Sequence, residues 1–120
     1  MITFADLIRE LDSTGVLFTA YGWADPEPLA EVNSWGAVFV TGSKSLYGDG
    51  APAEEVLTGT ISMATRQLDA SDFGAVTAKL QELSDRDDIA YRFVSTRYDE
   101  GKALLYYDWR YDGVLLNGFE

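Results

Sequence analysis

The segment "VLTGTISMATR", residues 56–66, decides the fold class because its polarity alternates along the chain. Leu57, Ile61 and Met63 fall on one side of an extended backbone, and hydroxyl side chains fall on the other. This period of two predicts a strand with one buried face. Gly59 stands on the apolar side, which indicates a bulge or a close contact with a neighbouring element.

Two further strands are predicted upstream of this segment. The run "VLFTAYGW", residues 16–23, is rich in β-branched and aromatic side chains, which favour extended structure. The run "WGAVFVT", residues 35–41, is apolar on both sides, as in a strand inside a sheet. Two prolines in "ADPEPLAEVNS", residues 24–34, predict a loop between them.

Helical spacing of apolar residues predicts a helix at each end of this group of strands. Residues 3–13 form the first, with Thr3 as its N-cap, Asp6 in its first turn and Gly15 as its stop. The second follows Ser71 as N-cap. The apolar stripes of the two helices are Phe4, Leu7, Ile8 and Leu11 in the first, and Phe73, Val76, Leu80 and Leu83 in the second.

The last part of the chain predicts a hairpin over residues 89–111, turning at "YDEGK" with Gly101 in the left-handed position. Alternation puts five aromatic residues on one face, which favours a sheet core over a platform for nucleobases. They are Tyr91, Phe93, Tyr107, Trp109 and Tyr111. We therefore expect one α+β domain, residues 1–120, with two helices on one face of a mainly antiparallel sheet of about five strands, in the order α-β-β-β-α-β-β.

Composition excludes several classes of function. The 120 residues include neither cysteine nor histidine, so disulfides, thiolate nucleophiles and the commonest metal ligand and general base are missing. Twenty acidic and nine basic residues give a net charge of −11, which repels nucleic-acid phosphates. The acidic N-terminus and the short apolar runs predict a soluble protein that is neither secreted nor inserted in a membrane.

The Gly-flanked segment 42–53, "GSKSLYGDGAPA", does not have the spacing of a phosphate-binding loop and leads into a strand, where such a loop would open a helix. Asp49 lacks the alternating acids of a calcium loop, and the acids of "SDRDD", residues 84–88, are typical of a solvated helix end. No local serine–lysine spacing supports a nucleophile. We therefore predict a protein without enzymatic activity, cofactor or metal.

The order of four motifs resembles that of the small tail terminator, or tail completion, proteins of long-tailed bacteriophages. The motifs are "ADLIRELDSTGVLFTAYGW" at 5–23, "WGAVFVTGSKSLYGDG" at 35–50, "EEVLTGTISMATR" at 54–66 and "IAYRFVSTRYDEGKALLYYDWRY" at 89–111. The resemblance covers about residues 3–112, and the step "YGW" and the closing "YDW" are its most specific parts.

The resemblance implies a hexameric ring that caps the tail tube and joins it to the head connector, in the virion and, during assembly, in the host cytoplasm. DNA would pass the acidic lumen without specific binding. The extended loop 42–53 would then dock against a neighbouring subunit or the next ring, whereas the apolar C-terminal tail 113–120 either packs on its own domain or reaches into a neighbouring subunit. The residues expected to make these contacts are Lys44 as a charge partner, Leu46 and Tyr47 as anchors, Asp49 beside them, and Leu116 and Phe119 in the tail.

The composition leaves a second class open. A small, cysteine-free, acidic domain is also typical of inhibitors that mimic nucleic acid, such as immunity, anti-restriction or anti-CRISPR proteins, which cover a basic cleft with carboxylates. Such a mimic would group its acids on one face, whereas the acids here are scattered along the chain from Asp6 to Glu120.

Overall fold

The computed structural model describes residues 2–23, 33–48, 51–66 and 71–116. For residues 45–48 and 51–54 it describes the backbone alone. Two helices and five strands follow one another in the predicted order, so the α+β class is confirmed. They are α1 (Phe4–Asp12), β1 (Leu17–Ala20), β2 (Ser34–Gly48), β3 (Ala51–Thr65), α2 (Ser71–Asp87), β4 (Ala90–Asp99) and β5 (Leu104–Leu115).

The five strands form one sheet in the order β1-β2-β3-β5-β4. β1 runs parallel to β2, and every other neighbouring pair is antiparallel. β2 is therefore internal over its first residues, as its apolar sequence predicted. β5, the last strand in sequence, lies between β3 and β4, so the centre of the sheet joins the two halves of the chain.

Both helices cover the same face of the sheet, and the main core lies between these two layers. On the sheet side the core includes Ile61, Met63, Trp109 and Tyr111, all of them fully buried. On the helix side it is built from the predicted stripes, of which Phe4, Leu7 and Leu11 in α1 and Val76, Leu80 and Leu83 in α2 are buried. At about 1.5–3 kcal/mol for each large apolar side chain, this burial is the main stabilising contribution to the fold.

The start of α1 has the predicted cap. The hydroxyl oxygen of Thr3 accepts a hydrogen bond of 3.2 Å from the backbone N–H of Asp6. After the helix, Gly15 takes a φ of +94°, a value that costs a residue without a Cβ little. The carboxylate of Asp12 then accepts a hydrogen bond of 2.6 Å from the backbone N–H of Phe18, which fixes the path from α1 into β1.

Gly59 makes the close contact that its position in the strand indicated. A Cβ at this residue would lie 1.9 Å from the carbonyl oxygen of Phe39 and 2.7 Å from the hydroxyl oxygen of Tyr111. That hydroxyl donates a hydrogen bond of 3.0 Å to the same carbonyl. Burial, with a smaller contribution from Tyr21, raises the pKa of Tyr111 far above its usual value, so the phenol stays a donor.

The prediction of a loop over residues 42–53 is wrong. β2 continues to Gly48 and β3 starts at Ala51, and the two pair antiparallel as far as Gly48 opposite Ala51. Gly42 lies at a shift in register, where one extra residue is accommodated and pairing resumes. The glycine therefore marks an irregularity inside a hairpin.

Three smaller boundaries also differ from the sequence prediction. β1 is shorter than residues 16–23, since Tyr21 takes a φ of 65° that ends extended structure. In the β4–β5 turn the positive φ, 54°, belongs to Ala103 and not to Gly101, so the left-handed position lies two residues later than predicted. β5 includes Leu115, so the first part of the expected tail is a strand. Most of the predicted proline-containing loop, residues 24–34, lies outside the described residues.

Candidate docking surface

The β2–β3 hairpin extends beyond the rest of the sheet. β1 pairs with β2 only over Trp35–Val38, and β5 pairs with β3 only as far as Val56. Residues 51–55 of β3 have no register partner in β5, so we name them, together with residues 43–48 of β2, the arm. The molecule is correspondingly elongated, with extents of 53 × 27 × 22 Å.

Two of the predicted docking residues, Lys44 and Leu116, lie at the base of the arm. Lys44 pairs with Val56, and Val56 pairs on its other side with Leu115, so three neighbouring strands align there. The backbone N–H of Leu116 donates a hydrogen bond of 2.9 Å to the carbonyl oxygen of Glu55. The side chain of Leu116 is 37% exposed. The end of β5 is thereby held against the arm.

Of the other four predicted docking residues, two lie in the arm and two lie outside the described residues. Leu46 lies opposite Glu54 and Tyr47 opposite Pro52 in the arm. Asp49 and Phe119 lie outside the described residues. The structure therefore brings four of the six predicted residues, Lys44, Leu46, Tyr47 and Leu116, to one end of the sheet.

The outer edge of β2 along the arm has no strand partner among the described residues. Such an edge presents backbone donors and acceptors to a strand of another molecule. The shift in register at Gly42 and the charge of Lys44 are features that limit unselective pairing at an edge. This arrangement suits a specific partner strand.

A second surface, which the sequence did not predict, lies on the sheet face turned away from the helices. We name this face, which neither α1 nor α2 covers, the open sheet face. A small cluster of buried apolar residues, Trp35, Ala64 and Leu104, lies there with Tyr106 packed against it. Trp23 contacts Tyr106 edge to face, with ring centroids 6.1 Å apart.

A cleft of about 670 Å³ opens on this face beside the cluster. The guanidinium carbon of Arg66 lies 4.7 Å from the ring centroid of Trp35, and that of Arg97 lies 4.2 Å from the ring centroid of Tyr106. The described side chains that line it are Trp23, Trp35, Arg66, Arg97, Lys102, Leu104 and Tyr106. Among these described residues three are cationic and none is acidic.

Sequence reasoning missed the cleft because its residues come from four separate segments. The available signal was the alternation of β5, which placed Tyr106 on the face opposite to Trp109. Only the strand order brings that face of β5 beside β4, which carries Arg97, and β3, after which Arg66 follows.

On the helix side, Glu10 joins the two helices by ion pairs. Its carboxylate oxygens lie 3.0 Å from Arg86 and 3.4 Å from Lys79. The hydrogen bond from Arg86 is the largest of the effects that lower the pKa of Glu10. A hydrogen bond to Glu82 is the main cause that raises the pKa of Lys79. These pairs hold α1 against α2 and neutralise cations within the helix layer.

Within the described residues there is no cluster of three or more acidic side chains close enough to hold a metal ion. No helix in that part of the chain is long and apolar enough to cross a membrane. No protein-family model matches the chain, and no curated protein matches its sequence significantly.

Proposed function

We propose that this protein is a structural component of a long-tailed bacteriophage virion. It forms a ring at the end of the tail tube, stops tube growth and joins the tail to the head connector. The observation that carries the proposal is the arm, which projects from a packed body and gathers predicted docking residues at one end of the sheet.

The physics of a two-stranded ribbon supports a docking role for the arm. A hairpin without a third strand or a covering layer is at best marginally stable in water. The arm continues a five-stranded sheet, so its base is fixed while its outer part lacks such support among the described residues. Contact with a neighbouring subunit or with the tube would supply the missing strand or layer.

The charge of the chain fits the passage of DNA through such a ring. A net charge of −11 repels phosphates, and DNA that is not bound by the wall stays free to move. The partners in this proposal are further copies of the chain, the tail tube protein and the head connector protein.

The direct test is the solution mass of the purified protein by light scattering over a range of concentrations, with negative-stain images of the same fractions. Rings of about six subunits are expected from the resemblance. Replacing Leu46 and Tyr47 together by alanine should abolish the rings while the monomer stays folded, because both residues lie in the arm.

The matched control for this arm variant is the double replacement of Val94 and Tyr98 by alanine. Both side chains lie on β4 and are about half exposed, so a similar apolar area is removed away from the arm. Rings that form equally well in both double variants would contradict a docking role for Leu46 and Tyr47.

One observation favours a second candidate, an acidic inhibitor that mimics nucleic acid. The two helices together carry seven acidic residues against three basic ones, so carboxylates are concentrated on one layer of the molecule. A protein that remains monomeric at every concentration and protects DNA from a nuclease in a cleavage assay would favour this candidate over the ring.

A further inference from the structure

The cations of this acidic chain are distributed unevenly over its surface. Of its nine basic residues, three lie in the helices, and each of these is within 4 Å of a carboxylate. Lys44 lies in the arm. The remaining five lie on the open sheet face or at its rim: Arg66, Arg92, Arg97, Lys102 and Arg110. The open sheet face and its rim therefore collect five of the nine cations, together with the carboxylate of Asp108, although the molecule as a whole is strongly acidic.

Two of these arginines face each other directly. Arg92 on β4 pairs in register with Arg110 on β5, and the two line one depression with Asp108 and Ser95. Like charges in opposed positions destabilise a sheet. Among the described residues neither arginine has a carboxylate within ion-pair distance, although Asp108 lines the same depression and lies 3.8 Å from Arg97. An anion from outside would remove this repulsion.

The cleft described above favours carboxylates over nucleobases. Guanidinium groups already cover ring faces of Trp35 and Tyr106, so these faces are not open for stacking. The side chain of Arg97 is 60% exposed, and the edge of its guanidinium presents N–H donors, whose planar arrangement matches a carboxylate. Lys102 adds a third positive charge. The cleft therefore suits an anionic group that does not stack, such as the carboxylates of a protein surface.

The chain itself provides such a surface at the end of α2. Glu82, Asp85, Asp87 and the following Asp88 lie there; Arg86 pairs with Glu82 and Asp87, and Lys79 pairs with Glu82. Negative charge is unfavourable at a helix C-terminus, because the helix dipole is negative there. Cations of a neighbouring molecule would relieve this repulsion.

These two surfaces cannot meet within one molecule. α2 starts beside β2, where Asp72 hydrogen-bonds Ser34, and it ends just before β4 at the opposite end of the sheet. The acidic end of α2 thus lies on the helix face near the arm, whereas the cleft lies on the other face at the far end. Complementary patches on opposite sides of a subunit join copies head to tail, and such contacts form a ring when the rotation between subunits closes and a filament when it does not.

We infer that the basic cleft on the open sheet face binds the acidic end of α2 in a second copy of this chain. The inference rests on the proposed ring and assigns the contact between its subunits. Arg97 and Asp85 are the residues to test, because both are well exposed and neither belongs to the core.

The experiment measures assembly by light scattering for Arg97→Glu, Asp85→Arg and the double variant. Each single reversal should raise the concentration needed for assembly at least about tenfold, because each opposes like charges at every contact. The double variant should recover assembly, since every contact again holds one acid and one base. Assembly of the wild type should also weaken as sodium chloride rises from about 0.05 to about 0.5 M.

The control is Arg92→Glu, which makes the same change of charge on the same strand as Arg97 but outside the cleft, and should leave assembly unchanged. If the wild type forms rings and both single variants assemble at the same concentration as the wild type, the inferred contact is overturned while the proposed ring is not. A double variant that fails to recover, although circular dichroism shows it folded, would also overturn it. If the wild type does not assemble at any concentration, both the proposed ring and the inferred contact are overturned.

Discussion

Gly59 shows how strongly a single residue is determined in this fold. The carbonyl of Phe39 and the hydroxyl of Tyr111 occupy the space that any side chain at this position would need. The two groups hydrogen-bond each other, and Tyr111 is fully buried, so neither can move away cheaply. The residue is therefore required by packing between three strands.

We expect Gly59→Ala to lower the free energy of unfolding by about 3 kcal/mol, since a Cβ 1.9 Å from a backbone oxygen forces β2 and β3 apart. Urea denaturation followed by tryptophan fluorescence measures the change. Gly74→Ala in α2 is the matched control. Its Cβ would meet nothing within 4 Å, and alanine should stabilise the helix by about 1 kcal/mol. Equal stability of wild type and Gly59→Ala would show that the strands can separate at no cost.

At the scale of elements, periodicity in the sequence determined the order of helices and strands, and capping residues located the start of α1. The arm was not predictable in this way. Glycine, serine and lysine between Gly42 and Gly48 have low strand preference, so the local signal is that of a loop. Pairing with β3 overrides that preference, and pairing is a property of two segments together.

The two candidate surfaces also differ in how far the sequence alone predicts them. Lys44, Leu46 and Tyr47 are neighbours in sequence and could be proposed from it as one group. The cleft needs the strand order, because Trp35, Arg66 and Arg97 come together only after the two halves of the chain have paired.

The ion pairs between α1 and α2 predict a dependence of stability on pH. Interaction with Arg86 lowers the pKa of Glu10, so its ionised form stabilises the fold above the pKa of the unfolded chain, near 4.5. This stabilisation is lost as pH falls through the lower pKa of the folded state. Glu10→Gln should therefore cost about 0.5–1 kcal/mol at neutral pH and almost nothing near pH 3.

Thermal or urea unfolding at several pH values between about 3 and 7 measures this difference between wild type and Glu10→Gln. Glu100→Gln is the matched control, because Glu100 lies in the exposed β4–β5 turn and has no ion pair among the described residues. A difference for Glu10→Gln that stays constant with pH would mean that the pairs with Arg86 and Lys79 contribute no net stabilisation.

At the scale of the whole molecule, helices and sheet divide the charge between two faces. The helix layer carries more acids than bases, and the open sheet face collects most of the remaining cations. Net charge alone hides this division and predicts only mutual repulsion of copies. The opposed faces instead allow attraction in one relative orientation, which is the geometry that a ring of identical subunits needs.

The position of β5 in the middle of the sheet also determines how the protein is made. The β2–β3 hairpin is local and can form while residues after Thr65 are still being translated, whereas its partner on the inner side begins only at Leu104. Until then Ile61 and Met63 on the nascent chain lack the strand beside them, and exposed apolar strands are the surfaces that chaperones bind and that aggregate. The ribosome-bound chain is therefore most vulnerable between the synthesis of β3 and that of β5.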